Sequence, residues 1–152
     1  MRIKSLTEKL AKEYASWEYP KPYDIYNLPE WDIMKASKYS VTTTIGRKQC
    51  YAFVQDNILM AVVSFKEKES AIYTGIALNP SFCGKGNGYK ILTKAISYYD
   101  KKHTRTKPFC AEVRAWNIRS IKTCEKSGFV ALHTSMCKGK DGDFEGVYLE
   151  HK

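Results

Sequence analysis

A glycine-rich turn between a strand-like segment and a helix-like segment most constrains how this chain can fold. The turn covers residues 79–88 and reads Asn-Pro-Ser-Phe-Cys-Gly-Lys-Gly-Asn-Gly. The apolar run Ala71–Leu78 precedes it and predicts a largely buried strand that ends before Pro80. Apolar residues recur behind it at helical spacing, namely Ile91, Leu92, Ala95, Ile96 and Tyr99. The sequence therefore predicts a strand–turn–helix unit here.

The glycines of this turn suit the binding of a phosphate group. Glycine lets the backbone approach a ligand closely, and N–H groups converge at the start of a helix, where the dipole favours an anion. We interpret the turn as a pyrophosphate site. Because strand–helix turns also carry glycines for steric reasons alone, this interpretation needs a second motif.

A second strand–helix pair supplies that motif. It covers residues 112–117 and continues with Ser120, Cys124, Gly128 and Phe129. Together with the turn, it resembles the GCN5-related N-acetyltransferase (GNAT) family. The family's acetyl-CoA loop has Arg or Gln, two residues, Gly, one residue, then Gly or Ala. Cys83–Gly88 is similar to it, with Cys83 at the Arg or Gln position. The family's later Asn, small residue, Tyr and Gly-Phe look matched by Asn117, Ser120, Cys124, Gly128 and Phe129, with Cys124 at the Tyr position.

The resemblance implies acetyl-CoA as the cofactor and assigns its contacts. The end of the first strand would hold the extended arm and the thioester, the turn would grip the pyrophosphate, and a later polar pair would contact the pantetheine arm. In that order the residues are Ile76, Ala77 and Leu78; Cys83, Gly84, Lys85, Gly86, Asn87 and Gly88; Asn117 and Ser120. Asn117 also suits a helix cap and Ser120 a helix surface.

Glu112 is the first candidate catalytic residue. Strand alternation places Cys110, Glu112 and Arg114 on one face. The spacing of Glu112 to Asn117 looks like the family branch that acetylates ribosomal-protein N-termini, where this Glu acts as base. We expect a cleft that desolvates Glu112 and so makes it a better base. An ion pair on the sheet is the alternative.

Cys124 is the second candidate catalytic residue. The family's Tyr at this position protonates the departing CoA thiolate, and a thiol is also a possible donor. The alternative is a small apolar helix residue that faces the core.

The amino-terminal part of the chain predicts a helix followed by an ordered loop. Ser5 and Glu8 form a capping-box pattern, and the apolar face that follows contains Leu6, Leu10, Tyr14 and Trp17. Three prolines exclude a regular helix from residues 18–29. In the resembling family such a segment lines the acceptor pocket, which implies Trp17, Tyr23 and Tyr26 as substrate contacts. They are otherwise core or cap residues.

The remaining patterns predict an α/β or α+β chain with a mixed sheet. A helix is predicted near 30–38, and the further strands near 49–54, 58–65, 109–115, 129–136 and 144–149. Asp56-Asn57 predicts a tight hairpin between two of these strands. The resemblance implies the acyl-CoA N-acyltransferase fold, with flanking helices and a cofactor cleft where two central strands splay. With 152 residues, we expect one domain over 1–152.

Composition narrows the class of protein. The net charge of +9 fits either a polyanionic cofactor or nucleic acid, but basic residues cluster beside the two cofactor segments rather than in one block. Five unpaired cysteines give neither a zinc spacing nor a disulfide framework, so we expect reduced thiols and no metal. No apolar run is long enough for a membrane helix, and no targeting pattern is convincing, which favours the cytoplasm.

These observations predict an acetyl-CoA-dependent N-acetyltransferase that acts by direct attack in a ternary complex. The acceptor is expected to be a small-molecule or peptide primary amine, and a monomer and a homodimer both stay open. A catalytically idle CoA-binding or sensor domain is the first alternative, and a basic nucleic-acid-binding module is the second.

Overall fold

The computed structural model describes residues 1–152 and contains seven strands and five α-helices. In chain order these are β1 Arg2–Ser5, α1 Glu8–Ala15, α2 Trp31–Ala36, α3 Thr44–Arg47, β2 Cys50–Gln55, β3 Ile58–Glu67, β4 Ile72–Leu78, α4 Asn87–Lys102, β5 Phe109–Arg114, α5 Ile118–Lys126, β6 Val130–Gly139 and β7 Gly142–His151. Short 3₁₀ turns cover Tyr23–Tyr26, Ser40–Thr42 and Pro80–Phe82.

The strands form one mixed sheet in the order β1-β2-β3-β4-β5-β7-β6. β4 and β5 are parallel and pair at the first two residues of each strand, Ile72 with Phe109 and Tyr73 with Cys110. The pairs β1–β2, β2–β3, β5–β7 and β6–β7 are antiparallel. The predicted mixed α/β class is therefore confirmed. None of the helices combines the length and the apolar character needed to span a bilayer.

The chain divides into two compact units. Unit 1 comprises residues 1–64 and 76–85, and unit 2 comprises residues 65–75 and 86–152. The core of unit 1 contains Leu6, Ala11, Trp17, Ala52, Val54, Leu59 and Val62. In unit 2, Phe109 is fully buried and packs against Phe65 and Tyr99 with ring centroids 5.5 Å away in each case. A single functional domain over 1–152 stays a prediction.

The chain begins differently from the sequence prediction. Ser5 does not cap a helix but ends β1, where it pairs with Tyr51 of β2. The cap of α1 is Thr7, whose hydroxyl accepts a hydrogen bond from the Leu10 N–H at 3.2 Å. β1 has almost no apolar pattern because it is an edge strand, and only its pairing with β2 makes it a strand.

The predicted hairpin between β2 and β3 is confirmed. Asp56 and Asn57 have φ angles of 52° and 64°, the left-handed pair that a two-residue turn requires. The later hairpin between β6 and β7 is tighter than predicted, since the two strands pair as far as Gly139 and Gly142.

Gly46 in α3 gives a test of packing in unit 1. A Cβ at this position would lie 1.9 Å from the backbone oxygen of Ser40. Because backbone atoms must move to relieve that overlap, we expect Gly46→Ala to lower the free energy of unfolding by about 3 kcal/mol. Urea unfolding measures this, with Thr44→Ala at the exposed start of α3 as control. Equal stability of both variants would contradict the packing described.

Candidate functional site

The glycine turn has the backbone conformation of an anion site. Gly84 and Gly86 have φ angles of +75° and +76°, and a Cβ built on either would meet nothing within 4 Å. Gly86 is the N-cap of α4, and no side chain caps this helix. Its first turn also contains no acidic residue. This 16-residue helix thus begins at a left-handed glycine without a side-chain cap, an arrangement that suits a phosphate.

Gly88 also has a packing role that the sequence did not indicate. Its φ angle is not left-handed, and a Cβ there would lie 3.2 Å from the Thr123 side chain on α5. The absence of a side chain at Gly88 therefore lets α5 approach the start of α4. The same helix pair is joined where the Ser127 hydroxyl donates to the Tyr89 carbonyl at 3.4 Å.

Local hydrogen bonds shape the beginning of the turn. The Asn79 side chain accepts from the Ser81 N–H at 3.0 Å, which starts the 3₁₀ turn. The Cys83 thiol lies 3.8 Å from the Leu78 carbonyl oxygen and 3.7 Å from that of Asn79. The exposed Lys85 donates a hydrogen bond from its ammonium group to the Ser81 carbonyl at 3.2 Å. Cys83 thus points back to the strand end, whereas Lys85 is on the surface of the turn.

The three strand residues predicted to hold the cofactor arm do not share one edge. The Asn79 N–H donates to the Met60 carbonyl of β3 at 2.7 Å. Because backbone polar groups alternate along a strand, those of Ala77 also face β3, while those of Ile76 and Leu78 face the opposite edge. The Ala77 side chain packs against the core of unit 1. Only Ile76 and Leu78 direct backbone groups away from β3.

Asn117 caps α5, which was the alternative to its predicted cofactor contact. Its side-chain oxygen accepts from the Ser120 N–H at 3.1 Å, and the residue is only 4% exposed. Ser120 is partly exposed in the first turn of the helix. The pattern Asn-x-x-Ser therefore builds the helix start, and the buried Asn117 offers little surface to a ligand.

Glu112 has an environment that differs from the expected one. It is exposed on β5, so the protein does not bury its carboxylate. Tyr148 of β7 lies directly opposite, and the Cys137 thiol of β6 donates to the Glu112 carboxylate at 3.5 Å. Burial, followed by the charge of Glu112, raises the pKa of the Cys137 thiol. The thiol is thus a neutral donor to the carboxylate.

Two tyrosines that the sequence did not point to share this face. Register places Tyr73 beside Cys110, and Tyr148 opposite Glu112. Burial is the largest cause that raises the pKa of both phenols, and Tyr148 also donates to the Glu150 carboxylate at 2.9 Å. We call this surface of unit 2 the Glu112 face; its residues are Tyr73, Cys110, Glu112, His133, Cys137, Tyr148 and Glu150. No spacing in the sequence indicates strand partners so far apart.

Cys124 is buried on α5 and is 5% exposed. Burial is the main cause that raises the pKa of its thiol to about 11, with a smaller contribution from the charge of Glu125. The thiol is therefore protonated throughout the neutral pH range. The protonated thiol is compatible with a proton donor, whereas its low exposure is typical of a core residue.

The three predicted acceptor contacts separate into two environments. Trp17 belongs to the core of unit 1 and packs edge-on against Tyr14, with ring centroids 5.3 Å apart. Tyr23 and Tyr26 bound the 3₁₀ turn in the proline-rich segment, and Tyr26 is 37% exposed. Trp17 is thus a core residue, and only the two tyrosines offer surface to a substrate. No group of His, Cys, Asp or Glu side chains is arranged to hold a metal ion.

A protein-family model matches most of this chain. The model of the acetyltransferase (GNAT) family matches residues 5–129, which include α1 and all segments from the glycine turn to α5. The chain belongs to this family. A comparison with curated proteins found no match.

Solved structures share the fold at low sequence identity. A GNAT-family acetyltransferase from Bacillus anthracis is 17% identical with a TM-score of 0.73, covering 97% of this chain and 92% of that one. AAC(6')-Ib in complex with paromomycin and acetyl-CoA is 15% identical with a TM-score of 0.73, at 99% and 92% coverage. The ribosomal-protein-S18-alanine N-acetyltransferase from Escherichia coli is 17% identical with a TM-score of 0.67, at 99% and 92% coverage.

Proposed function

We propose that this protein is an N-acetyltransferase that transfers the acetyl group of acetyl-CoA to a primary amine by direct attack in a ternary complex. One observation supports this most. The longest helix starts at a left-handed glycine with no capping side chain and no acid in its first turn, inside a segment that matches the GNAT family. An anionic cofactor would complete that helix start.

The proposed cofactor contacts follow the chain from the end of β4 to the start of α5. In unit 1, the Ile76 and Leu78 backbone would contact the arm, and Cys83, Gly84 and Lys85 begin the phosphate turn. In unit 2, Gly86, Asn87 and Gly88 continue the turn as the first N–H groups of α4. Asn117 and Ser120 shape the start of α5. Acetyl-CoA supplies an acyl thioester that an amine can attack.

The Glu112 face supplies the proposed proton acceptor. An exposed carboxylate can take a proton from an incoming ammonium directly or through water. The nearby phenols and thiols are held neutral, so they do not compete with Glu112 for that proton. Bound acceptor and cofactor would have to provide the desolvation that the protein alone does not.

Tyr23 and Tyr26 are the proposed acceptor contacts of unit 1, since both lie in a segment that the family uses near its acceptor. The family neighbours act on chemically different amines, an aminoglycoside-binding enzyme and an alanine N-acetyltransferase among them. We therefore propose a small-molecule or peptide amine as acceptor, without a narrower class.

Cys124 supports a second candidate function, a CoA-binding domain without turnover. The family has Tyr at this position, and here a buried thiol with a pKa of about 11 replaces it. Equilibrium binding of acetyl-CoA without release of free CoA, across a panel of amines, would favour this second function. Acetylated product would exclude it.

Gly86→Asp tests the phosphate turn. The substitution adds a carboxylate and a Cβ where the proposed pyrophosphate lies, so we expect acetyl-CoA affinity to fall at least tenfold, or about 1.4 kcal/mol, by calorimetry. Gly142→Asp is the matched control, because Gly142 also has a positive φ, +108°, with nothing within 4 Å. Equal affinities for the two folded variants would remove the turn from the cofactor site.

Glu112→Gln tests the proposed base. The amide keeps the shape but cannot accept the proton, so we expect kcat to fall roughly a hundredfold with little change in acetyl-CoA affinity. Glu145→Gln, at an exposed glutamate of β7, should leave kcat unchanged. A normal rate and an unchanged pH–rate profile for Glu112→Gln would assign the proton to water instead.

Cys124→Ala tests the proposed proton donor. With its pKa at about 11, the thiol is fully protonated at pH 7 and loses its proton only as the pH rises toward 11. If it protonates the CoA thiolate, kcat at pH 7 should fall several-fold in Cys124→Ala, while acetyl-CoA binding stays normal. Identical pre-steady-state release of CoA in both proteins would show that no donor acts from α5.

A further inference from the structure

Tyr19, in the proline-rich segment after α1, makes two hydrogen bonds, one through its backbone N–H and one through its phenol. The Tyr19 backbone N–H donates to the Asn27 side-chain oxygen at 2.7 Å, which closes the segment on itself. The Tyr19 phenol donates to the Leu78 carbonyl at 2.6 Å, across 59 residues of sequence. All of these residues belong to unit 1.

The second of these bonds completes the last peptide unit of β4. The Leu78 carbonyl accepts from Tyr19, and the N–H of the same peptide unit, that of Asn79, donates to the Met60 carbonyl at 2.7 Å. The Asn79 side chain also donates to the Leu59 carbonyl at 3.0 Å. With a hydrogen bond on each side, this peptide unit cannot rotate, and the direction of the preceding strand edge is set.

That edge is the one proposed to contact the cofactor. Ile76 and Leu78 direct their backbone groups away from β3, and Tyr19 reaches the same edge at its carboxyl end. In a variant without the phenol, the Leu78 carbonyl would keep only the long contact from the Cys83 thiol at 3.8 Å and water, and the peptide plane would gain freedom. Binding of an extended ligand would then have to restore the lost order, at a cost to affinity.

We propose that Tyr19 is a positioning residue for the arm of acetyl-CoA, which acts by fixing the last peptide unit of β4. This inference rests on the proposed function, because it requires the arm to lie along Ile76 and Leu78. Tyr19 would also connect the proposed acceptor contacts with the proposed cofactor contacts. The segment that holds the candidate acceptor contacts Tyr23 and Tyr26 is the segment that holds the strand end.

The test measures the Kd of two ligands for wild type and for the Tyr19→Phe variant. Acetyl-CoA contains the arm, whereas 3′-phospho-ADP contains the pyrophosphate and adenosine but no arm. We expect the Kd of acetyl-CoA to rise about tenfold by calorimetry, while that of 3′-phospho-ADP changes less than twofold. The KM for acetyl-CoA should rise in parallel, with kcat within threefold of wild type.

Asn27 variants separate positioning from general loss of structure. Asn27→Ala removes the bond that holds Tyr19, so it should give a smaller loss of the same kind, and Asn27→Asp should restore affinity because it keeps the acceptor oxygen. In the double variant Tyr19→Phe/Asn27→Ala, the second substitution should cause no further loss of acetyl-CoA affinity, because Asn27 acts through Tyr19. Tyr98→Phe on α4 removes a hydroxyl elsewhere and should change neither Kd.

Two outcomes would overturn the inference alone. These are unchanged acetyl-CoA affinity in Tyr19→Phe, or an equal loss for both ligands, while wild type still binds acetyl-CoA and Gly86→Asp still weakens it. Failure of the wild-type protein to bind acetyl-CoA would instead overturn the proposed function, and this inference with it.

Discussion

The left-handed backbone at Gly84 and Gly86 is the constraint on which the candidate site depends. The two glycines lie between the end of β4 and the start of α4, and no side chain caps that helix. α1 and α5 begin instead with Thr7 and Asn117, whose side chains accept hydrogen bonds from their helices. α2 also lacks a side-chain cap, but only α4 combines this with a left-handed glycine at the N-cap and no acidic residue in the first turn, which is the basis for the proposed anion.

Periodicity and turn chemistry were sufficient to predict most of the elements. β2 to β5, the Asp56-Asn57 hairpin and α4 all have strong local patterns, so their positions follow from the sequence. β1 could not be predicted because its four residues, two of them charged, become a strand only by pairing with β2. Thr7 rather than Ser5 caps α1 for the same reason, since β1 includes Ser5.

The candidate site was predictable where it consists of consecutive residues and not where it depends on register. The glycine turn is a contiguous motif, whereas the position of Tyr148 opposite Glu112 depends on the β5–β7 pairing. Asn117 shows a further limit, because the same residue pattern suits a helix cap and a ligand contact; the hydrogen bond to Ser120 shows the cap, and the ligand contact stays a prediction. The exposure of Glu112 likewise depends on what covers the sheet rather than on strand alternation.

The contacts proposed for acetyl-CoA and for the amine are compatible with a fold that this chain shares with solved structures at 15–17% identity. Cofactor contacts through backbone N–H groups place few demands on side chains, so Cys83 can stand where the family has Arg or Gln. Its thiol turns back toward the Leu78 and Asn79 carbonyls instead of projecting from the turn. The acceptor contacts proposed above depend on side chains instead. If the proposal holds, a shared backbone is sufficient for the cofactor contacts, whereas the choice of acceptor depends on individual side chains.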